Sequence, residues 1–596
     1  MPKGNKKRNS KPKEENQQQK AKEANQVQTS AAKKTLRRLR NEQQIERLTL
    51  KVPHGISATL NLHKAINTTK EKVKRIAKEC RRLNIKFLDR EFDVSDFEPC
   101  LYNLHEVDYS GVNDTKRVNK LYKEPKFYAD GVSPGDVRQG IIGDCWFLSA
   151  VSTCTNIKGV IETICVARDE QVGVYGFIFF KDGDWVSTVV DDQLFVSTIG
   201  GSSVIAVAQC KDPNETWLPL LEKAYAKIHG DYESIDGGSV SDALEDFTGG
   251  VSTLYATSEL LDIDRLWRED FLNVNKTVLF GCGRAGLGDA SGIIDGHAYS
   301  VLDATEYQGV KLVKVRNPWG NVEWSGAWSD GSETWTPESM ATLKHRFGDD
   351  GIFWISYADF LDFFNYLFKC RIFDDSWNVY STWINYNVEP KSDGRFNLKL
   401  SKKAKVIIVL QQPDRRYLHE PPAYLYQLAF RVVEEGSSTY LIRSPYTKTL
   451  DPCERNINLE IELEAGSYEI IPRIEAFPNP YAEISKQPNE TQPAQDLPGQ
   501  VDLDQTEDEN VNPESTTVTT ETTESPTQIV YSAKLAMKKD KFASKLSWDL
   551  KLGIRVYTQS DGVSVEAYEG PYPVSKDKNL LEEEDQDPEA ETTITD

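Results

Sequence analysis

The chain has 596 residues, too many for a single hydrophobic core, and this predicts about three or four domains. Hydrophobic residues make up 39% and aromatics 10%, with 12 Trp, which excludes a wholly disordered chain. Lys and Arg number 71 against 92 Asp and Glu; the formal charge of −21 argues against nucleic acid as the main partner and fits either cation binding or plain solubility.

Residues 1–35 are Lys, Gln, Glu and Asn with almost no large apolar side chain, and read as a disordered basic tail. Such a tail could touch acidic lipid or RNA; a solvated segment is the plainer reading. Its first twenty residues hold no apolar stretch, so no secretory signal is expected, and Pro2 argues against myristoylation. No run of about 18 apolar residues occurs anywhere, so no membrane span is expected. The nine cysteines are scattered and form no CxxC pair, which speaks against structural zinc, thioredoxin-like chemistry and a disulfide framework. Together these features predict a cytoplasmic protein with free thiols.

Residues 36–86 read as an N-terminal helical segment, with Leu36, Leu39, Ile45 and Leu48 at helical spacing and a second helix over 61–83. The main globular region follows. Its most informative stretch is QGIIGDCWFLSAVSTC, from Gln139 to Cys154. Gly140 and Gly143 permit a tight turn, and Asp144 stands where a helix N-cap would stand. CWFLSAVS then reads as a buried helix with Cys145 in its first turn. There the helix dipole and unpaired N–H groups favour a thiolate and can donate to an oxyanion, and Gln139 can add a side-chain N–H. Most free cysteines are small buried hydrophobes, and Cys154 and Cys165, which lack this setting, are read that way.

A thiol nucleophile needs an imidazole held by a third group. Of seven His, His297 alone follows a glycine at the start of an alternating strand, Ala298 to Val301. The next strand, VKLVKV, ends at Asn317-Pro318, one hairpin away, so an amide oxygen there can accept from the imidazole and Trp319 can screen that bond. A lone His is usually structural and Asn-Pro usually a turn. Cys, then His, then Asn in this order is the rarer pattern expected of papain-like enzymes.

Beyond residue 376, short alternating strands (FNLKL, KVIIVLQQ, YQLAFRVV, INLEIELE, SYEIIPRIEA) predict an antiparallel sandwich. Residues 484–527 are acidic and polar and read as a disordered insert, after which KLGIRVYT and VSVEAYEG resume the strands. Residues 575–596 read as an acidic disordered tail.

QGIIGDCWFLSA, DGHAYSV, VRNPWGNVEWSGAWSD, DDGIFWISYADF and residues 218–250 resemble, in order, the catalytic core of the calpain family. The resemblance covers about 87–372, and 376–570 is similar to calpain domain III. No EF-hand loop is present, so the form implied lacks the penta-EF-hand domain. The resemblance implies an α+β protein: a papain-like core in two parts, 87–248 and 249–372, then a C2-like β-sandwich over 376–570. It implies calcium-regulated intracellular endoproteolysis of protein substrates. Cys145 attacks, His297 is the base, Asn317 orients it, Gln139 assists the oxyanion hole and Trp319 shields the Asn–His bond. Calcium, the implied cofactor, would draw the two parts together about Thr248–Gly250. Its first site would use carbonyls of Ala129 and Gly131 with Asp136 and Glu215. Its second would use Glu323, Asp330, Asp350 and the carbonyl of Gly348. Ile352 stands where the family pattern has a carboxylate, which weakens the second site. Two other expectations stand beside this one: a catalytically silent scaffold, and a module meeting acidic lipid or a membrane surface through its basic tail or its sandwich.

Overall fold

A computed structural model describes residues 53–569, apart from 58, 60, 106–111, 200–201, 388–393, 417–423, 438, 446–454 and 480–548. The basic tail 1–35, the helix expected within 36–50, Cys453, the insert 484–527 and the tail 575–596 therefore lie outside the described residues. From His54 onward the described chain forms one compact unit. It mixes helices with several antiparallel sheets, an α+β architecture. Among the described residues no helix is long and apolar enough to cross a membrane.

Helix α1 (Leu62–Leu83) buries Leu62, Ala65, Ile66, Thr69, Val73, Ala77 and Cys80, a stripe at spacings of three and four. It ends where Asn84 turns left-handed and its N–H caps the last carbonyls. The stripe lies on a meander of strands 165–169, 174–181 and 184–191 through Val172, Val174 and Val189. The approach is close: a Cβ on Gly176 would stand 2.5 Å from Thr69.

Three more helices build the centre of this half. Every residue of α2 (Cys145–Cys154) is buried except Cys145, as expected of a short helix that is apolar all round. Helix α3 (Trp217–His229) packs Tyr225 against Phe147 of α2, ring centroids 4.5 Å apart. Helix α4 (Val240–Thr248) stops at Gly249, whose φ of 64° lets the chain leave the helix directly into the second half.

That half is a six-stranded antiparallel sheet: β1 (Val251–Ala256), β2 (Val278–Arg284), β3 (His297–Tyr307), β4 (Val310–Arg316), β5 (Ile352–Ser356) and β6 (Tyr366–Arg371), in spatial order β5-β4-β3-β2-β6-β1. An alternating exposure was expected for the start of β3. Instead His297 through Leu302 are all buried. One face of β3 carries an aromatic core with Trp267, Phe271, Phe280, Tyr299 and Phe353, and α2 covers the other.

Nine further strands form two antiparallel sheets: β7 (Asn378–Asn387), β8 (Arg395–Leu400), β9 (Ala404–Gln411), β10 (Tyr424–Glu434), β11 (Tyr440–Arg443), β12 (Asn456–Leu463), β13 (Gly466–Pro478), β14 (Asp549–Thr558) and β15 (Val563–Tyr568). Their orders are β7-β14-β9-β12 and β11-β10-β13-β8-β15. One core joins the sheets, with Val406, Ile408, Leu552 and Ile554 from the first and Phe396, Leu398, Phe430 and Ile470 from the second.

Candidate active site

The turn before Cys145 is built by glycine. A Cβ on Gly140 would lie 2.3 Å from the carbonyl oxygen of Ala206, so only glycine lets residues 139–141 run against 206–207. The turn is held by Ile141 N–H donating to Ala206 O (2.8 Å) and Gly143 N–H to Asp236 Oδ1 (2.7 Å). It delivers Cys145 to the first position of α2, half-buried, after Asp144.

Helix α2 and strand β3 are stitched together. Ser149 Oγ donates to Ala298 O and Ser300 Oγ donates to Ser149 O, both at 2.9 Å. These bonds set the helix of Cys145 against the strand that begins with His297. The Cys145 sulfur accordingly lies within reach of the main-chain N–H groups of Ala298 and Trp146. Burial nevertheless pushes the thiol up to about 11.

Imidazole and amide meet where β3 and β4 pair. His297 Nε2 and Asn317 Oδ1 are 2.8 Å apart and buried. Asn317 Nδ2 donates to Val322 O (3.0 Å), which fixes the amide with its oxygen toward the ring. An amide oxygen only accepts, so Nε2 carries the proton and Nδ1 keeps its lone pair. The same oxygen accepts from Trp319 N–H (3.0 Å), and the Trp319 ring sits 4.5 Å from the imidazole, centroid to centroid. Burial holds the imidazole down at about 4, and the bond to Asn317 works in the opposite direction. Cys145 and His297 thus rest as neutral thiol and neutral imidazole.

Gln139 donates through Nε2 to Ile142 O (2.8 Å), and its main-chain N–H donates to Pro318 O (3.2 Å). The residue therefore ties the turn before Cys145 to the Asn317 loop, while its amide retains a second N–H.

The residues expected to hold calcium fall into two loops. In the first, Ala129 N–H donates to Glu215 Oε1 (2.9 Å), and Asp136 accepts from Ser133 N–H (2.7 Å). Glu215 Oε2 is buried and accepts no full hydrogen bond among the described residues, although the Trp217 indole lies close enough to pull the acid down. Burial raises both acids, and Asp130 adds its charge to each. Gly131 has a positive φ of 107° in the same loop. In the second, Glu323 Oε1 accepts from Gly351 N–H (2.8 Å) and Asp350 N–H (3.2 Å), and Gly348 N–H donates to Asp330 Oδ2 (2.8 Å). Burial, with Asp330 and Asp350 nearby, lifts Glu323 to about 7. His345 Nε2 is 2.6 Å from Asp330 Oδ1, and Ile352 contributes only its N–H, to Asp350. Among the described residues no three His, Cys, Asp or Glu side chains stand together in metal-holding geometry. The donor chemistry still suits a hard cation: an orphaned buried carboxylate oxygen in one loop, and crowded acids in the other.

Sequence reasoning missed Ser149 and Ser300, whose role depends on which strand α2 meets. It also missed Glu222, a fully buried acid of α3 whose one sequence signal is a charge inside the apolar run WLPLLEKAYA.

Residues 87–371 match the profile described as "Calpain family cysteine protease". The chain is 37% identical over 312 residues to calpain-type cysteine protease ADL1 of Oryza sativa subsp. japonica, covering 50% of this chain and 14% of that protein. It is 38% identical over 287 residues to the calpain-1 catalytic subunit of Bos taurus, covering 44% and 38% respectively. With calpain-5 of Mus musculus it shares 28% identity over 473 residues, 67% of this chain and 71% of that one. The chain thus spans only 14% of the length of the plant relatives. The matched segment contains Cys145, His297 and Asn317, and residues 87–371 form a calpain-family cysteine protease domain.

Proposed function

We propose that the protein is a calcium-regulated cysteine endopeptidase that makes limited cuts in protein substrates, with Cys145, His297 and Asn317 as its triad. The observation that carries this reading is the 2.8 Å contact between His297 and Asn317, on a strand stitched to the helix of Cys145. His297 Nδ1 takes the thiol proton as sulfur attacks the peptide carbonyl carbon. The first-turn N–H groups of α2 and the second N–H of Gln139 receive the oxyanion. The imidazolium then gives its proton to the leaving amine, and the same nitrogen activates the water that frees the acyl group. A resting thiol at about 11 and imidazole at about 4 mean that proton transfer accompanies attack.

The reading includes a papain-like core, a C2-like sandwich and placement in the cytoplasm. Calcium would be held by Ala129, Gly131, Asp136 and Glu215, and by Glu323, Asp330, Gly348 and Asp350. It would supply positive charge that relieves repulsion among those acids. Contact with acidic lipid through the basic N-terminal segment or the sandwich belongs to the same proposal. The neutral resting pair equally suits a silent calpain-like protein. Casein digestion by the purified chain, with calcium or with chelator, separates the two. Cleavage in calcium that Cys145→Ser abolishes supports the peptidase; intact casein under every condition overturns it.

A further inference from the structure

Asp144 and Glu222 are both fully buried. Glu222 accepts the Ala208 N–H with both oxygens, at 3.1 and 3.2 Å. Asp144 begins α2: its carbonyl accepts the Leu148 N–H at 3.0 Å. No other residue among those described donates a hydrogen bond to its two carboxyl oxygens; the N–H beside them is its own main-chain one. The acid that acts on them from closest by is Glu222, itself fully buried. Two carboxylates are both acceptors, so a hydrogen bond between them needs a proton in it. Two full negative charges at contact in a dry site would also be costly.

We propose that Asp144 and Glu222 hold one shared proton at neutral pH, and that Glu222 is thereby a positioning residue for Cys145, anchoring the start of α2 to the segment at Ala208. This rests on the cysteine-peptidase reading of the site. Burial pushes both acids up, Glu222 well above its usual range, which agrees with a retained proton. The titratable groups facing the pair are few: Asp236, occupied by Gly143 N–H, Cys145 itself, and the buried Tyr232. The shared proton limits the pair to one negative charge beside a sulfur that must become anionic. It also fixes Asp144, and with it the turn that aims Cys145.

The test uses the full chain and two readouts that need no proteolysis. Infrared difference spectra of wild type against Asp144→Asn/Glu222→Gln at neutral pH should show a protonated buried carboxyl band in wild type alone. Its absence would overturn the shared proton. Alkylation of Cys145 by iodoacetamide, followed on its own peptide by mass spectrometry, should fall at least tenfold in Glu222→Leu. Glu222→Gln, which still links Asp144 to Ala208, should restore most of that rate. Melting curves establish that the variants are folded. If Glu222→Leu does not fold, the Gln variant and the infrared band decide alone. Wild-type alkylation in folded Glu222→Leu would overturn the positioning role. A failure of casein cleavage in wild type would sink the peptidase reading while leaving both readouts of the pair intact.

Discussion

Asn317 serves three partners with one amide: His297 and Trp319 N–H at its oxygen, Val322 O at its nitrogen. The side chain orients the ring and is the one group raising the imidazole against burial. Asn317→Ala should therefore lower kcat/KM by about 10- to 100-fold, chiefly through kcat, whereas Cys145→Ser should leave only background. Peptidase kinetics on a short fluorogenic substrate check this, and an unchanged kcat would remove Asn317 from the site. Glu323 offers a second residue-scale outcome. Its folded value of about 7 lies above its ordinary 4.5. Its share of stability is thus fully present below about pH 4.5 and is lost as pH rises through about 7. In chelator, Glu323→Gln should flatten the decline in Tm between about pH 5 and 8, and calcium should bind wild type more weakly at pH 6 than at pH 8. The placing of Cys145 at a helix start and of His297 beside Asn317 was legible in sequence because each residue sits by its own local signal: a glycine turn, a Gly-His step, an Asn-Pro stop. Glu222 was not, since nothing local says that a helical glutamate faces inward.

The helix over Leu62–Leu83, the helix from Cys145 and the strand ended by Pro318 were readable as elements from period, turn and breaker residues. The environment of β3 was not, because its burial on both faces is imposed by α2, which lies far away in sequence. Two element-scale outcomes follow from these contacts. Gly140→Ala places a Cβ 2.3 Å from Ala206 O and 2.4 Å from Val207 C, main-chain atoms that have no side-chain freedom to yield. The turn must open, so casein cleavage should be lost while the sandwich strands stay folded by hydrogen exchange; full activity would show that the turn tolerates a wider separation. At the start of β5, Ile352→Glu adds a carboxylate beside Asp350, Glu323 and Asp330. More ligands raise calcium affinity, and more repulsion lowers stability without the ion. The calcium midpoint of peptidase rate should fall and the chelator Tm should drop slightly. An unchanged midpoint would mean that these acids do not hold the activating ion.

At the scale of the molecule, the two-sheet unit is clamped onto the junction between the two halves of the core. Arg555 of β14 is fully buried, donating to Glu245 Oε1 of α4 at 2.7 Å, and Tyr557 OH donates to Gly249 O at 2.9 Å. Asn456 holds the other oxygen of Glu245 at 2.8 Å. Arg455 pairs with Asp246 (2.8 Å), Arg416 with Asp242 (2.6 Å) and His229 Nδ1 with Asp414 (2.9 Å). Arg416 also lies over the ring of Trp146, next to the nucleophile, 4.4 Å from its centroid. None of these partners could be paired from sequence, since they are separated by 174 to 310 residues and follow no local period. Removing one member of a buried pair strands the other, at a cost of about 3–5 kcal/mol. Arg555→Ala leaves Glu245 hydrogen-bonded to Asn456 and Ser252, with Arg455 as the remaining nearby cation but no guanidinium bonded to it. It should lower stability by about that amount. More specifically, the clamp should fail before either part does, so a single melting transition in wild type should become two, and chain cleavage by added protease should rise around residues 372–377. Glu245→Gln/Arg555→Met, which removes both charges while keeping bulk, should recover most of the loss. Calorimetry decides: one transition at the wild-type temperature in Arg555→Ala would mean that apolar contacts, such as Phe373 stacked on Tyr557 at 4.5 Å, hold the unit to the core without help from the buried charge.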